Sequence, residues 1–313
     1  MSVPAAYFGI VLIWSTTPLA IKWSGDIGFL FASTARMSLS AALGLMLLVL
    51  LRRRLPWHRD ARRIYLLLGC TGYAAMLSGY WGAQFIPSAL ISIVFGLTPL
   101  ITALLASLCL GERSFTPAKV AGLLAGLLGL IVVFGTGLRL GTHAAWGIGA
   151  WLIAAFIHSA TTVTLKRIGQ PVSVWAMTVG GLSLTALLFG ATWLATGAHW
   201  PQAMPARALT ATLYLAVFGS LLGFLLYNYA LKRLPASQMA LITLITPIAA
   251  LALGTLFNGE RLSREILMGG ALILAGLALH QWDERRGRVR SAAPAASPLA
   301  EDAAPAGIAP GAR

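Results

Sequence analysis

The stretch of sequence that decides the fold occurs twice. Thr98–Arg113 reads TPLITALLASLCLGER, and Thr246–Arg261 reads TPIAALALGTLFNGER, 148 residues further along because 246 − 98 = 148. Each copy has proline in second place, continues as an apolar run and ends in Gly-Glu-Arg. A repeat of this kind predicts that one structural unit is present twice in the chain.

Residues around this stretch repeat as well. Pro87 returns as Pro235 at the same offset (235 − 87 = 148), and Lys22 returns as Lys166 at a slightly shorter one (166 − 22 = 144). We therefore expect a first repeat over residues 1–140 and a second over 141–283. Residues 284–313 are rich in Ala and Pro and have no helical periodicity, which predicts a disordered cytoplasmic tail.

Composition makes lipid the expected solvent of the chain. Of its 313 residues, 58% are hydrophobic and 10% are charged, with a mean hydropathy of +0.80. A typical soluble domain has about 25% charged residues. Too few charges remain to cover a water-facing surface, so we expect an integral membrane protein.

The net charge of +14 does not indicate a nucleic-acid partner. Nucleic-acid binding needs basic residues collected on one polar face, whereas here they stand in short clusters between apolar runs, the largest at Arg52–Arg63. The two cysteines, Cys70 and Cys109, lie within apolar runs and are interpreted as small buried side chains rather than as a disulfide or a metal pair. No cofactor and no metal site are expected.

Ten apolar segments have roughly the length of a membrane-spanning helix, which needs about 20 residues. Pro87 and Pro235 stand where the fourth and ninth helices would start, a position at which proline sacrifices no hydrogen bond. The fold class is therefore all-α. The ten segments cover residues 5–22, 28–51, 64–85, 87–110, 117–135, 144–165, 173–196, 207–231, 235–258 and 265–282.

The distribution of basic residues predicts that both termini lie in the cytoplasm. With this orientation, 17 of the 23 Lys and Arg residues fall in or beside inner segments and 5 in outer ones, while Arg36 is inside a span. Basic residues accumulate on the cytoplasmic side of membrane proteins. The expected location is the cell membrane, which is the inner one where there are two. The five outer residues are Lys22, Arg139, Arg207, Arg261 and Arg264.

An odd number of helices in each repeat has a geometric consequence. Because the first unit has five, the second must cross the membrane upside down, so we expect two inverted five-helix repeats around a central cavity. Inverted repeats of this kind are a transporter architecture whose substrate site lies near the middle of the membrane.

Four stretches resemble one known family, the EamA-type members of the drug/metabolite transporter superfamily. They are WSTTPLAIK at 14–22, ARMSLSAALGLMLL at 35–48, and the two long segments at 97–133 and 245–279 that contain the Gly-Glu-Arg repeats. The resemblance extends over about residues 5–282. It implies ten helices, a central cavity and the transport or export of small metabolites such as amino acids.

Three prolines are candidates for hinges. A proline inside a helix deletes the hydrogen bond to the residue four positions earlier and kinks the helix. Pro99 and Pro247 stand at matching positions of the two repeats, and Pro18 lies in the first span. A packing kink is the alternative interpretation.

Arg36 is the one charged residue deep in a predicted span, about 12 Å from its start at 1.5 Å per residue. Three interpretations follow, because a buried charge must reach water or find partners. The side chain extends to the outer interface, is satisfied by carbonyl groups, or binds an anionic group of a substrate. His158, the one histidine well inside a span, is open between a neutral core residue, a proton-coupling group and a substrate contact.

Polar and aromatic residues of the spans are the candidates for the substrate pathway. They combine aromatic walls with small hydroxyl and amide groups, as binding cavities do. Tyr80, Trp81 and Tyr227 could alternatively be interfacial anchors. The full set is Trp14, Ser15, Arg36, Tyr80, Trp81, Ser92, Thr98, His158, Tyr227, Asn228, Thr243 and Thr246.

The function predicted is that of a secondary transporter, an exporter or facilitator working by alternating access. Its partners would be a small-molecule substrate and membrane lipid, and one copy of a ten-helix carrier would suffice. The alternatives are a membrane-embedded enzyme, for which the spans offer no carboxylate pair and no Cys/His constellation, and a channel. Facilitated diffusion or exchange is favoured over proton antiport, because no acidic residue lies deep in a span.

Overall fold

The computed structural model describes residues 2–110, 116–139, 143–169, 172–231, 233, 236–260 and 263–292. Within these ranges the chain is helical and contains no strand. Six helical stretches are long and apolar enough to cross a membrane. They are Val3–Ile27, Phe29–Leu50, Ser88–Cys109, Ala144–Ile168, Val174–Ala195 and Ala206–Ala230.

The first half of the chain forms six α-helices and a short 3-10 helix, Gly25–Ile27. The α-helices are α1 (Val3–Ser24), α2 (Phe29–Leu50), α3 (Arg59–Ala83), α4 (Ser88–Phe95), α5 (Thr98–Leu110) and α6 (Pro117–Arg139). The second half forms six more: α7 (Ala144–Ile168), α8 (Val174–Ala195), α9 (Ala206–Tyr214), α10 (Gly223–Leu231), α11 (Ala236–Asn258) and α12 (Arg264–Ala292). A π-helical segment, Leu215–Leu222, joins α9 to α10.

The remaining four predicted spans are helical but fall outside the set of six. Within the described part of these spans, two shorter stretches are apolar helices, Val120–Val133 of α6 and Thr246–Asn258 of α11. Helix α3 begins at Arg59 and not at residue 64, because His58 caps it by accepting a hydrogen bond from the Ala61 N–H at 3.3 Å. Helix α12 continues past the predicted boundary at 283 to Ala292, and residues 293–313 lie outside the described residues.

The fourth predicted helix, 87–110, is in fact interrupted. Helix α4 ends at Phe95 and α5 begins at Thr98, so Pro99 stands in the first turn of α5 and not inside a helix. The Thr98 hydroxyl donates to the Phe95 carbonyl at 2.5 Å, which satisfies an acceptor that the break exposes. Pro18 and Pro247 do lie inside helices, α1 and α11.

Glycines bring α6 and α12 into contact along their length. A Cβ added at Gly276 would collide with the Gly122 carbonyl oxygen and lie 2.9 Å from the Gly126 nitrogen. One added at Gly269 would lie 2.8 Å from the Gly129 oxygen. Small residues allow such backbone-to-backbone packing in membranes.

The other helices surround a central space. Helix α3 packs against α7 and α8, α2 packs against α8 and the π-helical segment, and α1 packs against α9, α10 and α11. The two cysteines are both exposed, so the interpretation of Cys70 and Cys109 as buried side chains is wrong. Their apolar sequence surroundings form the outer surface of the bundle, which is as apolar as a core in a membrane protein.

Candidate functional site

A cavity of about 230 Å³ lies between α1, α3, α4, α7, α8 and α10, with Met37 of α2 and Thr246 of α11 completing the wall. Seven of the twelve residues predicted for the substrate pathway line it, together with Pro18. The seven are Trp14, Tyr80, Ser92, His158, Tyr227, Asn228 and Thr246.

Five aromatic rings run through the cavity wall in contact with one another. Trp14 stacks on Tyr227 with ring centroids 5.1 Å apart, and Tyr227 lies 6.0 Å from His158. The row of rings continues through Phe95, whose ring centroid is 5.5 Å from that of His158 and 5.9 Å from that of Trp151. The row crosses from α1 to α10, α7 and α4 and provides a continuous apolar surface for a ligand.

Two polar atoms of the cavity wall have no hydrogen-bond partner among the described residues. They are the indole nitrogen of Trp151, whose residue is 8% exposed, and the hydroxyl oxygen of Ser92, which is 7% exposed. Buried polar groups normally have a partner. Both residues line the cavity, but the two atoms are themselves covered in this conformation, and the Nε1 edge of Trp151 lies against Gly79 and Gly82 of α3. A bound molecule can therefore supply the missing partner only after a local rearrangement, and the Trp151 N–H can only donate to it.

Asn228 is held by a neighbouring helix. Its side-chain amide donates to the Thr178 hydroxyl at 3.0 Å, and both residues line the cavity. This contact joins α10 to α8 and orients the Asn228 carbonyl, which stays available as an acceptor. Among the described residues of the wall there is no Asp, Glu, Lys or Arg.

Arg36 is buried but lies outside the cavity wall. The residue is 1% exposed, so it remains inside the bundle and does not extend to the outer interface. Its Nε donates to the Ser220 hydroxyl at 2.8 Å and its Nη1 to the Tyr80 hydroxyl at 3.2 Å. Tyr80 therefore stands between the guanidinium and the cavity, and the cation lies 5.8 Å from the centre of its ring.

The other sequence-predicted residues are placed elsewhere. The Ser15 hydroxyl donates to the Val11 carbonyl at 2.7 Å, and Thr98 closes the helix break described above. Trp81 is exposed, 37%, with its ring against that of Phe85. The side chain of Thr243 lies outside the described residues. Pro247 lies beside the break, since its Cγ would be 3.4 Å from a Cβ added at Gly96.

Residues that the sequence analysis did not select complete the wall. On α7 and α3 they share the helical periodicity of His158 or Tyr80, and on α8 they recur every three or four residues, as positions facing one cavity do. That spacing, combined with the hydroxyl groups, is the signal that could have found them. They include Trp151, Thr161 and Thr162 of α7, Thr71 and Gly72 of α3, and Thr178, Gly181 and Thr185 of α8.

Comparison with known proteins gives consistent results. The model of the EamA-like transporter family matches residues 4–135 and again 145–280. A probable terminal-alkyne amino-acid exporter of Streptantibioticus cattleyicolor is 31% identical over 281 residues, which cover 86% of this chain and 90% of the relative. The uncharacterized transporter YoaV of Bacillus subtilis is 24% identical, with 90% and 97% covered.

The fold is also found in a solved crystal structure. It superposes with a TM-score of 0.66 at 23% sequence identity and covers 91% of this chain and 99% of the other. At this identity the likeness concerns the fold alone.

Proposed function

Since the chain belongs to the EamA-like transporter family, we propose that it is a secondary transporter that carries a small organic molecule through the cell membrane by alternating access. The observation that carries the proposal is the cavity inside the helical bundle, with its row of aromatic rings and the unpartnered polar atoms of Trp151 and Ser92. Membrane transporter is the function of its named relatives.

The wall chemistry favours an amino acid or related compound with an apolar side chain. Once a local rearrangement exposes them, the Trp151 N–H and the Ser92 hydroxyl would donate to its carboxylate, while the apolar part would lie against the aromatic row. Arg36, behind Tyr80, would add a favourable potential for a negative group without touching it. His158 stands in the middle of the row and would contact the substrate directly. The relative named as an amino-acid exporter supports this class.

Alternating access would arise from two inverted five-helix repeats. The helix contacts support this arrangement. If the halves are exchanged, α7 takes the place of α1, and α9 with α10 takes the place of α3. The contact of α3 with α7 then corresponds to the contact of α9 and α10 with α1, and both contacts are present. The pairs α2 with α8, α4 with α11 and α6 with α12 are unchanged by the exchange. Pro18, Pro247 and the break at Pro99 would serve as hinges, and Pro247 lies against the break.

Reporter fusions are expected to place the two ends of the second repeat on opposite sides of the membrane. A fusion after Arg139 should report the outer side and one after Arg290 the cytoplasm, because five spans separate them and the basic clusters favour cytoplasmic termini. Alkaline phosphatase and green fluorescent protein fusions give the two readouts. The same side for both positions would contradict the ten-helix topology.

Transport itself can be tested with purified protein in liposomes loaded with unlabelled compound. Counterflow of labelled compounds should succeed for amino acids with apolar side chains and fail for sugars and purines. The Trp151→Phe variant should exchange about tenfold more slowly at low substrate concentration, since it loses a hydrogen bond to a charged acceptor. The matched control is Trp146→Phe on the same helix, because Trp146 is 65% exposed and faces outward.

Two results would contradict the proposal. One is a steady current through a planar bilayer with no counterflow of any compound, which would indicate a channel. The other is an equal loss of exchange in the Trp151 and Trp146 variants, which would mean that the indole of Trp151 acts on the fold and not on the substrate.

A further inference from the structure

The turn between α3 and α4 is held by two side chains of opposite charge. The Lys22 ammonium, from the end of α1, donates to the Ala83 carbonyl at 2.8 Å and the Ile86 carbonyl at 3.0 Å. Ala83 is the last residue of α3 and Ile86 lies in the turn that follows, where carbonyl groups have no helical partner and attract a cation.

Glu260 holds the other side of the same turn. Its Oε1 accepts from the backbone N–H of Ser88 at 2.9 Å and its Oε2 from that of Ala89 at 3.2 Å. These are the first two residues of α4, whose free N–H groups and positive helix end favour an anion. Asn258 donates to Glu260 Oε1 at 3.0 Å and accepts from the Trp23 indole at 3.0 Å, which connects the carboxylate to α1.

The turn lies next to one end of the cavity. Ile21, Tyr80 and Ile91 line the cavity nearest to it and are at most 4% exposed. Ile86 of the turn itself is 1% exposed and packs in the same apolar cluster. A substrate leaving by this end would therefore have to displace the α3–α4 turn.

We propose that Lys22 and Glu260 form a clamp that fastens the α3–α4 turn over the closed end of the cavity and releases it when that end opens. This deepens the proposed transport function, on which it rests. The two residues are positioning residues, since neither lines the cavity among the described residues. Glu260 belongs to the second half of the chain and binds backbone N–H groups of the first half, so the clamp couples the two halves.

The sequence repeat contains a counterpart of each clamp residue. Lys166 corresponds to Lys22 at an offset of 144 and Glu112 to Glu260 at an offset of 148 (166 − 22 = 144; 260 − 112 = 148). Pro235 corresponds to Pro87, beside the turn. Glu112 and Pro235 lie outside the described residues. The repeat therefore identifies Lys166 and Glu112 as the sequence equivalents of the two clamp residues.

Cysteine accessibility tests the clamp without any substrate. The parent has both exposed cysteines, Cys70 and Cys109, replaced by alanine and carries Ile91→Cys behind the turn. The probe is the membrane-impermeant thiol reagent MTSET, applied to right-side-out and to inverted vesicles. A Gln84→Cys protein, exposed at the same end, identifies the vesicles in which the reagent reaches the clamp.

Glu260→Gln and Lys22→Met should each raise the labelling rate of Ile91→Cys from the clamp side at least tenfold, because each removes charge-assisted hydrogen bonds that hold the turn. The control is Asp26→Asn, which breaks the exposed ion pair with Arg207 (2.9 Å) at the same end and should leave the rate unchanged. A second reporter, Val133→Cys, is buried at 0% exposure away from the cavity and reports general loosening.

Three outcomes would overturn the clamp. Unchanged labelling in both variants would mean that the turn stays closed without these charges. An equal rise with Asp26→Asn would mean that any charge loss at this end suffices. A parallel rise at Val133→Cys would show a purely structural role. Because labelling needs no transport, failure of the clamp and failure of the proposed function are distinguishable.

Discussion

Replacing Arg36 by lysine is expected to destabilise the protein by about 1.5–3 kcal/mol, the range for the loss of a hydrogen bond made by a charged group. Lysine has its three donors on one nitrogen, which cannot reproduce the two separate positions from which Nε and Nη1 donate to Ser220 and Tyr80. It would leave a poorly paired charge at a position that is 1% exposed. Thermal unfolding in detergent, followed by the fraction that remains monodisperse, measures the change.

Arg36→Gln should lower the free energy of unfolding by less than Arg36→Lys does. A neutral amide can donate to one of the two hydroxyls, and it leaves no charge to be buried. Arg207→Lys is the control, since Arg207 sits at the surface against Trp23 and Asp26. If Arg36→Lys unfolds at the temperature of the parent, the guanidinium does not need its two hydroxyl partners, and an arginine that extends to the interface becomes the better description.

Replacing Gly276 by leucine is expected to separate α6 from α12 and to abolish most of the folded protein. Even a Cβ at this position collides with the Gly122 carbonyl oxygen, and backbone atoms on both sides leave no flexible group that could move away. Overpacking of a flexible contact costs about 1–3 kcal/mol, and a backbone collision costs more. The folded yield after membrane extraction is the measurement.

Gly149→Leu is the matched control, because no atom lies within 4 Å of a Cβ at Gly149 on α7. It should give nearly the parental yield. If Gly276→Leu also does, α6 and α12 do not need their close contact.

Hydropathy predicted the positions of the helices but not the hydrogen-bond pattern of their backbones. The second span was expected at 28–51 and is found at Phe29–Leu50, since a run of apolar residues with no breaker fixes both ends. The break between Phe95 and Thr98 lies beside Pro99, where the sequence predicted a kink inside a continuous helix. The π-helical segment Leu215–Leu222 was not predicted, because its residues are equally compatible with an ordinary α-helix. Hydropathy is insensitive to a change in hydrogen-bond register.

Part of the candidate site could be predicted from the sequence. His158, Tyr227 and Asn228 stood out as polar or aromatic residues in apolar surroundings, and they line the cavity. Trp151 was passed over, although it lies seven residues before His158 and therefore on the same face of α7. The partner of Arg36 could not be predicted, since Ser220 is 184 residues away and is presented by the π-helical segment.

That π-helical segment makes the two halves mechanically unequal. At the offset of 148 its counterpart is 67–74, which is ordinary α-helix within α3 (215 − 148 = 67; 222 − 148 = 74). The Ser40 hydroxyl donates to its Ala216 carbonyl at 3.0 Å, and Arg36 binds its Ser220, so one half holds an anchored, wider turn that the other lacks. An alternating carrier with such halves is expected to have inward- and outward-facing states of different free energy, and 1.4 kcal/mol suffices for a roughly tenfold bias. In the unliganded molecule the cavity would then open predominantly to one side of the membrane.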